Sequence, residues 1–204
     1  MNLPVPQIPG VILAAGESSR MGFPKALLPY QGSTFLERLA GLLAPRVSPL
    51  IVVLGHDAER IYGAVTLPAG TRVLVNRDYR LGQLSSLQTA IRTLQHGRGT
   101  VREVAGLLLA PVDHPCVAEE TIVALLRVFA AEEPAVAAPT HGGRRGHPVI
   151  FSSRLFDELL AAPLDQGARA VVRRHPVREV PVDDAGILAD IDDPEIYRRL
   201  IGSS

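Results

Sequence analysis

Three stretches of this chain are apolar at every position: Val11–Ala14, Leu50–Leu54 and Ala105–Ala110. A strand with one wet face alternates apolar and polar side chains, whereas a short run without alternation reads as a strand covered on both faces. Thr71–Val75 and Ala135–Pro139 read as two further strands. Between these runs, apolar residues recur at helical spacing, as in Phe35, Leu36, Leu39, Leu42 and Leu43. Leu87, Ala90, Ile91 and Leu94 form a second such face, and Ile122, Leu125, Leu126 and Phe129 a third. Strands alternating with amphipathic helices predict an α/β fold in three layers, a mostly parallel sheet with helices on both faces.

Local signals punctuate that pattern. Pro29–Gly32 is turn chemistry, and Thr34 with Glu37 three residues on predicts a capping box. Pro45 and Pro49 close the first helix, a short helix is expected from Asp57 to about Gly63, and Gly97–Gly99 is expected to be a loop. From Thr140 the pattern changes to a basic, glycine-rich loop, His141–Pro148, and a short strand, Val149–Phe151. Helices near Ser153–Ala161 and Gln166–Arg174 and a strand at Val177–Pro181 follow. No linker sets this part apart. Residues 1–9 are expected to be an N-terminal extension and residues 10–204 a single domain.

At 204 residues the chain can bury roughly 70% of its unfolded surface and needs no disulfide or structural metal to fold. Twenty-one basic residues balance twenty-one acidic ones, so no global field recruits nucleic acid or an anionic membrane. Aromatic residues are only 4% and Trp is absent, which also removes base-stacking platforms. The lone cysteine, Cys116, fits a reducing compartment. Met1–Gly10 has three prolines and no basic or apolar leader segment, and no apolar run nears the ~18 residues of a membrane span. A soluble, cytoplasmic protein is expected.

In parallel sheets of this kind, ligands bind beyond the carboxyl ends of the strands. The residues just past those ends are Gly16–Lys25, Gly55–Asp57, Asn76–Asp78 and Asp113–His114. The first of these is a small-residue loop with Gly16, Ser18, Ser19 and Gly22 and two cations, Arg20 and Lys25. Such a loop lets backbone N–H groups approach an anion, and the cations add charge. It is neither a Walker A loop nor a dinucleotide fingerprint. An ordinary strand-to-helix turn with surface cations is the plain alternative. Among the carboxylates, Asp113 stands at a strand end and reads either as a ligand for a hard cation or as a turn or cap residue. Asp193 precedes Pro194 and reads as a helix cap, which leaves Asp192 the better ligand candidate and Asp190 a solvated residue. Gly146-His147-Pro148 reads as a structured turn, Arg144 and Arg145 as a basic turn or a greeting for an anionic second substrate. His56 and His114 stay unassigned, and Cys116 and His175 read as structural.

Leu13-Ala-Ala-Gly16, Arg20-Met-Gly22 and Lys25-Ala-Leu-Leu together resemble the N-terminal signature of nucleotidyltransferases that activate phosphorylated small molecules with an NTP. Asn76, Gly82-Gln-Leu-Ser-Ser86, Pro111-Val-Asp113-His-Pro, Arg145-Gly-His147-Pro-Val, Asp165-Gln-Gly-Ala-Arg169 and Asp190-Ile-Asp192-Asp-Pro-Glu195 follow in order. That order is similar to the molybdenum-cofactor nucleotidyltransferases, most of all their cytidylyltransferase branch. Gly82-Gln-Leu-Ser departs from a common Gly-Met-Gly form.

The resemblance implies a Rossmann-like sheet of the nucleotide-diphospho-sugar transferase type. It implies that Leu13, Ala14, Ala15, Gly16, Glu17, Ser18, Ser19, Arg20, Met21 and Gly22 hold base and triphosphate, with Lys25, Asn76, Ser85 and Ser86. Arg20, Lys25 and Asp113 would be catalytic, and Asp113 and Asp192 would hold Mg2+. Arg145, Gly146, His147 and Pro148 would line the acceptor side. The Ala14-Ala15 form implies CTP over GTP, the acceptor a molybdopterin-type cofactor, and the recipient a molybdenum hydroxylase. A transferase acting on another phosphorylated small molecule and a non-catalytic nucleotide-binding accessory protein are the rival readings.

Overall fold

The computed structural model of the chain describes residues 8–96 and 104–202. The expected extension before Ile8 and the expected loop at Gly97–Gly99 lie outside the described residues. Ile8 is buried, and Pro9 accepts a hydrogen bond from the Leu108 N–H at 2.9 Å, so the packed body includes both.

In chain order the elements begin with β1 (Gly10–Ala14), the small hairpin β2 (Pro29–Tyr30) and β3 (Ser33–Thr34), α1 (Phe35–Leu43) and β4 (Leu50–Leu54). Next come α2 (Ala58–Ala64), β5 (Arg72–Val75), α3 (Gln83–His96), β6 (Gly106–Pro111) and α4 (Glu119–Glu132). The last part holds β7 (Val136–His141), β8 (Arg144–Arg145), β9 (Val149–Ser152), α5 (Phe156–Ala161), α6 (Arg169–Val172), β10 (Val177–Pro181) and α7 (Pro194–Gly202).

The main sheet runs in the order β10-β7-β9-β6-β1-β4-β5, with β8 paired to β7. Strands β1, β4, β5 and β6 are mutually parallel, with Gly10 opposite both Leu50 and Leu108. Strand β9 is antiparallel to β6 and β7, because β8 and the following turn reverse the chain before it enters the sheet. The chain steps outward from β1 to β5 on one side, then returns to place β6 on the other. The crevice at the carboxyl ends of β1 and β6 is therefore a topological switch point, the place where such sheets bind ligands.

Burial follows the unbroken apolar runs. Alternate residues of one strand feed opposite cores: Ile12, Val52, Leu108 and Ile150 pack with α1 and α4, while Val11, Ile51, Leu107 and Phe151 pack with α3 and α5. The capping box forms as expected, the Glu37 N–H donating to Thr34 Oγ1 at 3.2 Å and the Thr34 N–H to Glu37 Oε2 at 2.9 Å. The helix expected over Gln166–Arg174 shrinks to the single turn of α6, since Gly167 adopts a left-handed φ of 66° just before it. Among the described residues no helix is long and apolar enough to cross a membrane.

Candidate active site at the switch point

The loop after β1 is fixed from below by its neighbours. The Leu13 carbonyl accepts from the Val112 N–H at 3.0 Å and the Ala15 carbonyl from the His56 N–H at 3.1 Å. This close approach requires Gly55, where a Cβ would stand 2.7 Å from the Ala15 oxygen and 2.7 Å from Tyr79 Cβ. Above, Ser18 sits in the left-handed region at φ 51°, and its carbonyl accepts from Met21 and Gly22 at 2.9 and 3.1 Å. The Ser18 hydroxyl accepts from the Lys25 N–H at 3.1 Å. Gly22, at φ 64°, lets the turn close at low steric cost.

This loop opens on a cavity of 270 Å³. Leu13, Ala14, Ala15, Gly16, Ser18, Ser19, Arg20 and Lys25 line it from one side, Ser86, Asp113 and Asp192 from the others. At its floor, Lys25 Nζ stands 3.3 Å from Asp113 Oδ2 and donates a second, short bond to Asp192 Oδ1. Arg20 Nη2 donates to Asp192 Oδ2 at 2.8 Å. The Lys25 side chain is only 11% exposed, so this ammonium is held where bulk water screens it weakly. The two carboxylates meet because the Asp113 carbonyl accepts from the Ile191 N–H at 2.9 Å. Ile191 is buried in the core, and Asp190 and Asp192 flank it.

Charge crowding shows in the ionisation of the group. Asp190 is pushed up to about 6, by burial first and then by the carboxylates of Asp113 and Asp192, although the residue as a whole is exposed. Burial raises Asp192 too, but hydrogen bonds and charge from Lys25 and Arg20 outweigh it and leave that carboxyl below its usual range. Asp113, His114 and Asp190 each present a ligand-type atom, all within 4.8 Å of one another. Asp113 Oδ1 and His114 Nδ1 are buried and lack hydrogen-bond partners.

A second cavity, of 520 Å³, adjoins the first across Leu13 and Gln83, which line both. Its floor is apolar, with Leu84, Leu87, Leu109 and Val136, and its rim carries Arg145, His147, Gln166, Arg169 and Arg173. The His147 N–H donates to the Ile187 carbonyl at 3.0 Å, and its ring lies 4.7 Å from that of His114. Burial, with His114 adding to it, pushes His147 down to about 4. Gly146 passes so close to Ile187 that a Cβ would fall 2.2 Å from its carbonyl oxygen.

The expected residues separate by position. Glu17 reaches out of the cavity to Arg80 Nε at 2.9 Å, and Met21 and Gly22 complete the turn without lining the wall. Asn76 and Ser85 are buried behind it: Asn76 Nδ2 donates to the Ser85 hydroxyl at 2.8 Å and to that of Ser86 at 3.0 Å. Arg145 and Gly146 reach the second cavity with His147, but the Arg145 guanidinium is paired to Glu179 at 2.7 Å, and Pro148 is not on the wall. Asp193 is the cap it was expected to be, accepting from the Glu195 and Ile196 N–H groups at 2.8 and 3.0 Å. Sequence reasoning missed Asp190, Gln83, Arg169 and Arg173. For Asp190 a signal existed: an apolar anchor between two acids puts both acids on one side of an extended segment.

Comparison with known proteins follows the same outline. Residues 10–180 match the family model described as the MobA-like NTP transferase domain. The nicotine blue oxidoreductase of Paenarthrobacter nicotinovorans is 31% identical over 97% of this chain and 98% of its own. The molybdenum cofactor cytidylyltransferase of Escherichia coli is 25% identical over 92% of each chain, and relatives with guanylyltransferase names match as well. Two crystal structures of Rv0371c from Mycobacterium tuberculosis, one a complex with manganese, superpose with TM-scores of 0.84 and 0.80. They are 36% and 35% identical and cover 97% of this chain and 100% of theirs.

Proposed function

The chain belongs to the MobA-like NTP transferase family, and on that footing we propose that it transfers CMP from CTP to the phosphate of a molybdopterin-type cofactor. The observation that carries this reading is the pair of abutting cavities. One has cations and carboxylates at its floor, the other an apolar bed with a basic rim, and they join at Leu13 and Gln83.

In the reaction, an oxygen of the acceptor phosphate attacks the α-phosphorus of CTP. The bond to the bridging oxygen breaks, and pyrophosphate leaves. Little covalent work falls to the protein; in-line positioning and charge stabilisation supply the rate. Arg20 and Lys25 are assigned to the phosphates, with the loop N–H groups around Gly16 and Ser18. Asp113 and Asp192 fit a hard divalent cation, since both offer carboxylate oxygens at the cavity wall and Asp113 Oδ1 has no hydrogen-bond partner. When bound, such an ion would neutralise charge on the triphosphate, a role that Mg2+ can fill. Ser86 is assigned to the nucleotide, with Asn76 and Ser85 positioning it from behind.

Cytosine over guanine is our assignment from the Ala14-Ala15 form of the loop, both residues of which line the first cavity. Arg145, Gly146 and His147 are assigned to the acceptor, and a molybdenum hydroxylase to receipt of the product. One relative, matched over nearly the whole of both chains, carries an oxidoreductase name, but the paired cations and carboxylates favour phosphoryl chemistry here. The test is pyrophosphate release with CTP and with GTP in the presence of molybdopterin. CTP-dependent release is expected. Release with GTP in preference, or with neither, would overturn the reading.

A further inference from the structure

Asp113 divides its two oxygens. Oδ2 is engaged by Lys25 Nζ at 3.3 Å, whereas Oδ1 is buried without a hydrogen-bond partner and lies 4.0 Å from His114 Nε2. The His114 side chain is 11% exposed, and its Nδ1 is also without a partner. A buried polar atom left unpaired costs about 1–3 kcal/mol, so two such atoms on adjacent residues need a reason. Asp190 brings a third donor into the same 4.8 Å cluster, from a segment tied to Asp113 by the bond from the Ile191 N–H. A carboxylate, an imidazole and a second carboxylate at this spacing have the chemistry of a metal donor set.

We propose that His114 and Asp190 join Asp113 in holding the divalent cation, and that the imidazole makes the site select a first-row transition-metal ion over Mg2+. Mg2+ binds oxygen and keeps its waters, so it gains little from a nitrogen donor. Transition-metal dications accept imidazole readily, and affinity rises from Mn2+ onward along the series. The proposal rests on the nucleotidyltransferase reading only in sharing Asp113 with it. Metal binding is measured without nucleotide or acceptor, so failure of the transfer assay and failure of this site are separate results.

The probe is Mn2+ added to the full chain. Loss of the free-ion EPR signal reports affinity, competition by Mg2+ reports selectivity, and nitrogen-14 modulation in the electron spin echo reports a bound imidazole. The wild type should bind Mn2+ at least tenfold more tightly than Mg2+ and show the modulation. His114→Gln should lose the modulation and most of that preference while keeping its affinity for Mg2+, which shows that the variant is folded. Asp190→Asn should weaken both ions. No modulation in the wild type, or modulation that survives His114→Gln and disappears in His147→Gln, overturns the proposal.

Discussion

Lys25 and Asp192 are 167 residues apart in the chain, yet their side chains form an ion pair on the floor of the switch-point cavity. The same ammonium reaches Asp113. The cation we assign to phosphate is thus occupied by the carboxylates we assign to metal. Binding a metal–nucleotide complex exchanges partners: phosphate takes the ammonium and the metal takes the carboxylates.

The exchange sets opposite expectations for Lys25→Met. Removing one preorganised charge from a phosphoryl-transfer site costs on the order of 10²-fold in turnover. The same change frees Asp113 and Asp192 from a competing cation, so Mn2+ added without nucleotide should bind more tightly than to the wild type. Calorimetric titration and pyrophosphate release on the one variant check both. Turnover at the wild-type level would remove Lys25 from the mechanism.

Asp113→Ala is expected to lower turnover far more than stability. The side chain lies just past the end of β6 and caps no helix; at the start of α4 it is Asp184 whose Oδ2 accepts from the N–H of the N-cap residue Ala118, at 2.9 Å. Folding should change by no more than about 1 kcal/mol in urea melts. A rate unaltered at saturating Mg2+ would contradict the metal assignment.

Ala15→Gly tests the base. Deleting a methyl from a residue that lines the cavity is worth about 1–3 kcal/mol of discrimination between substrates of different size. The ratio of kcat/KM for CTP over GTP should fall about tenfold, chiefly through better use of GTP. A ratio that stays constant means that the base is read elsewhere.

The layers of the fold were legible because the buried strands have no polar positions; Val11–Ala14 and Leu50–Leu54 leave little else to be. The loop at Gly16–Lys25 was legible for a similar reason, since its small residues and cations are contiguous. What was hidden depends on contacts between distant segments. Asp190 looked like one more surface acid until Ile191 was seen to anchor beside Asp113. The second cavity is assembled from α3, α6, β9 and β10, and no one stretch carries its signature. Arg145 looked like a free cation for the acceptor because Glu179, its partner, stands 34 residues away.

The last prediction concerns Asp190 in the metal-free protein. Its carboxyl is raised to about 6 from an ordinary 3.8, so between those values the folded state holds a proton that the unfolded state has released. Stability from this group is fully present below the ordinary value and is lost as the pH rises through 6. Asp190→Asn removes the penalty without changing the shape. The variant should therefore melt higher than the wild type above pH 6 in the presence of a chelator, and the gap should narrow as the pH falls below that value. Saturating Mn2+ should reverse the order, because the wild type then gains a ligand that the amide supplies poorly. Differential scanning fluorimetry across the pH range reads both effects. A melting difference that ignores pH would mean that burial and the neighbouring carboxylates do not hold the Asp190 carboxyl above its usual range.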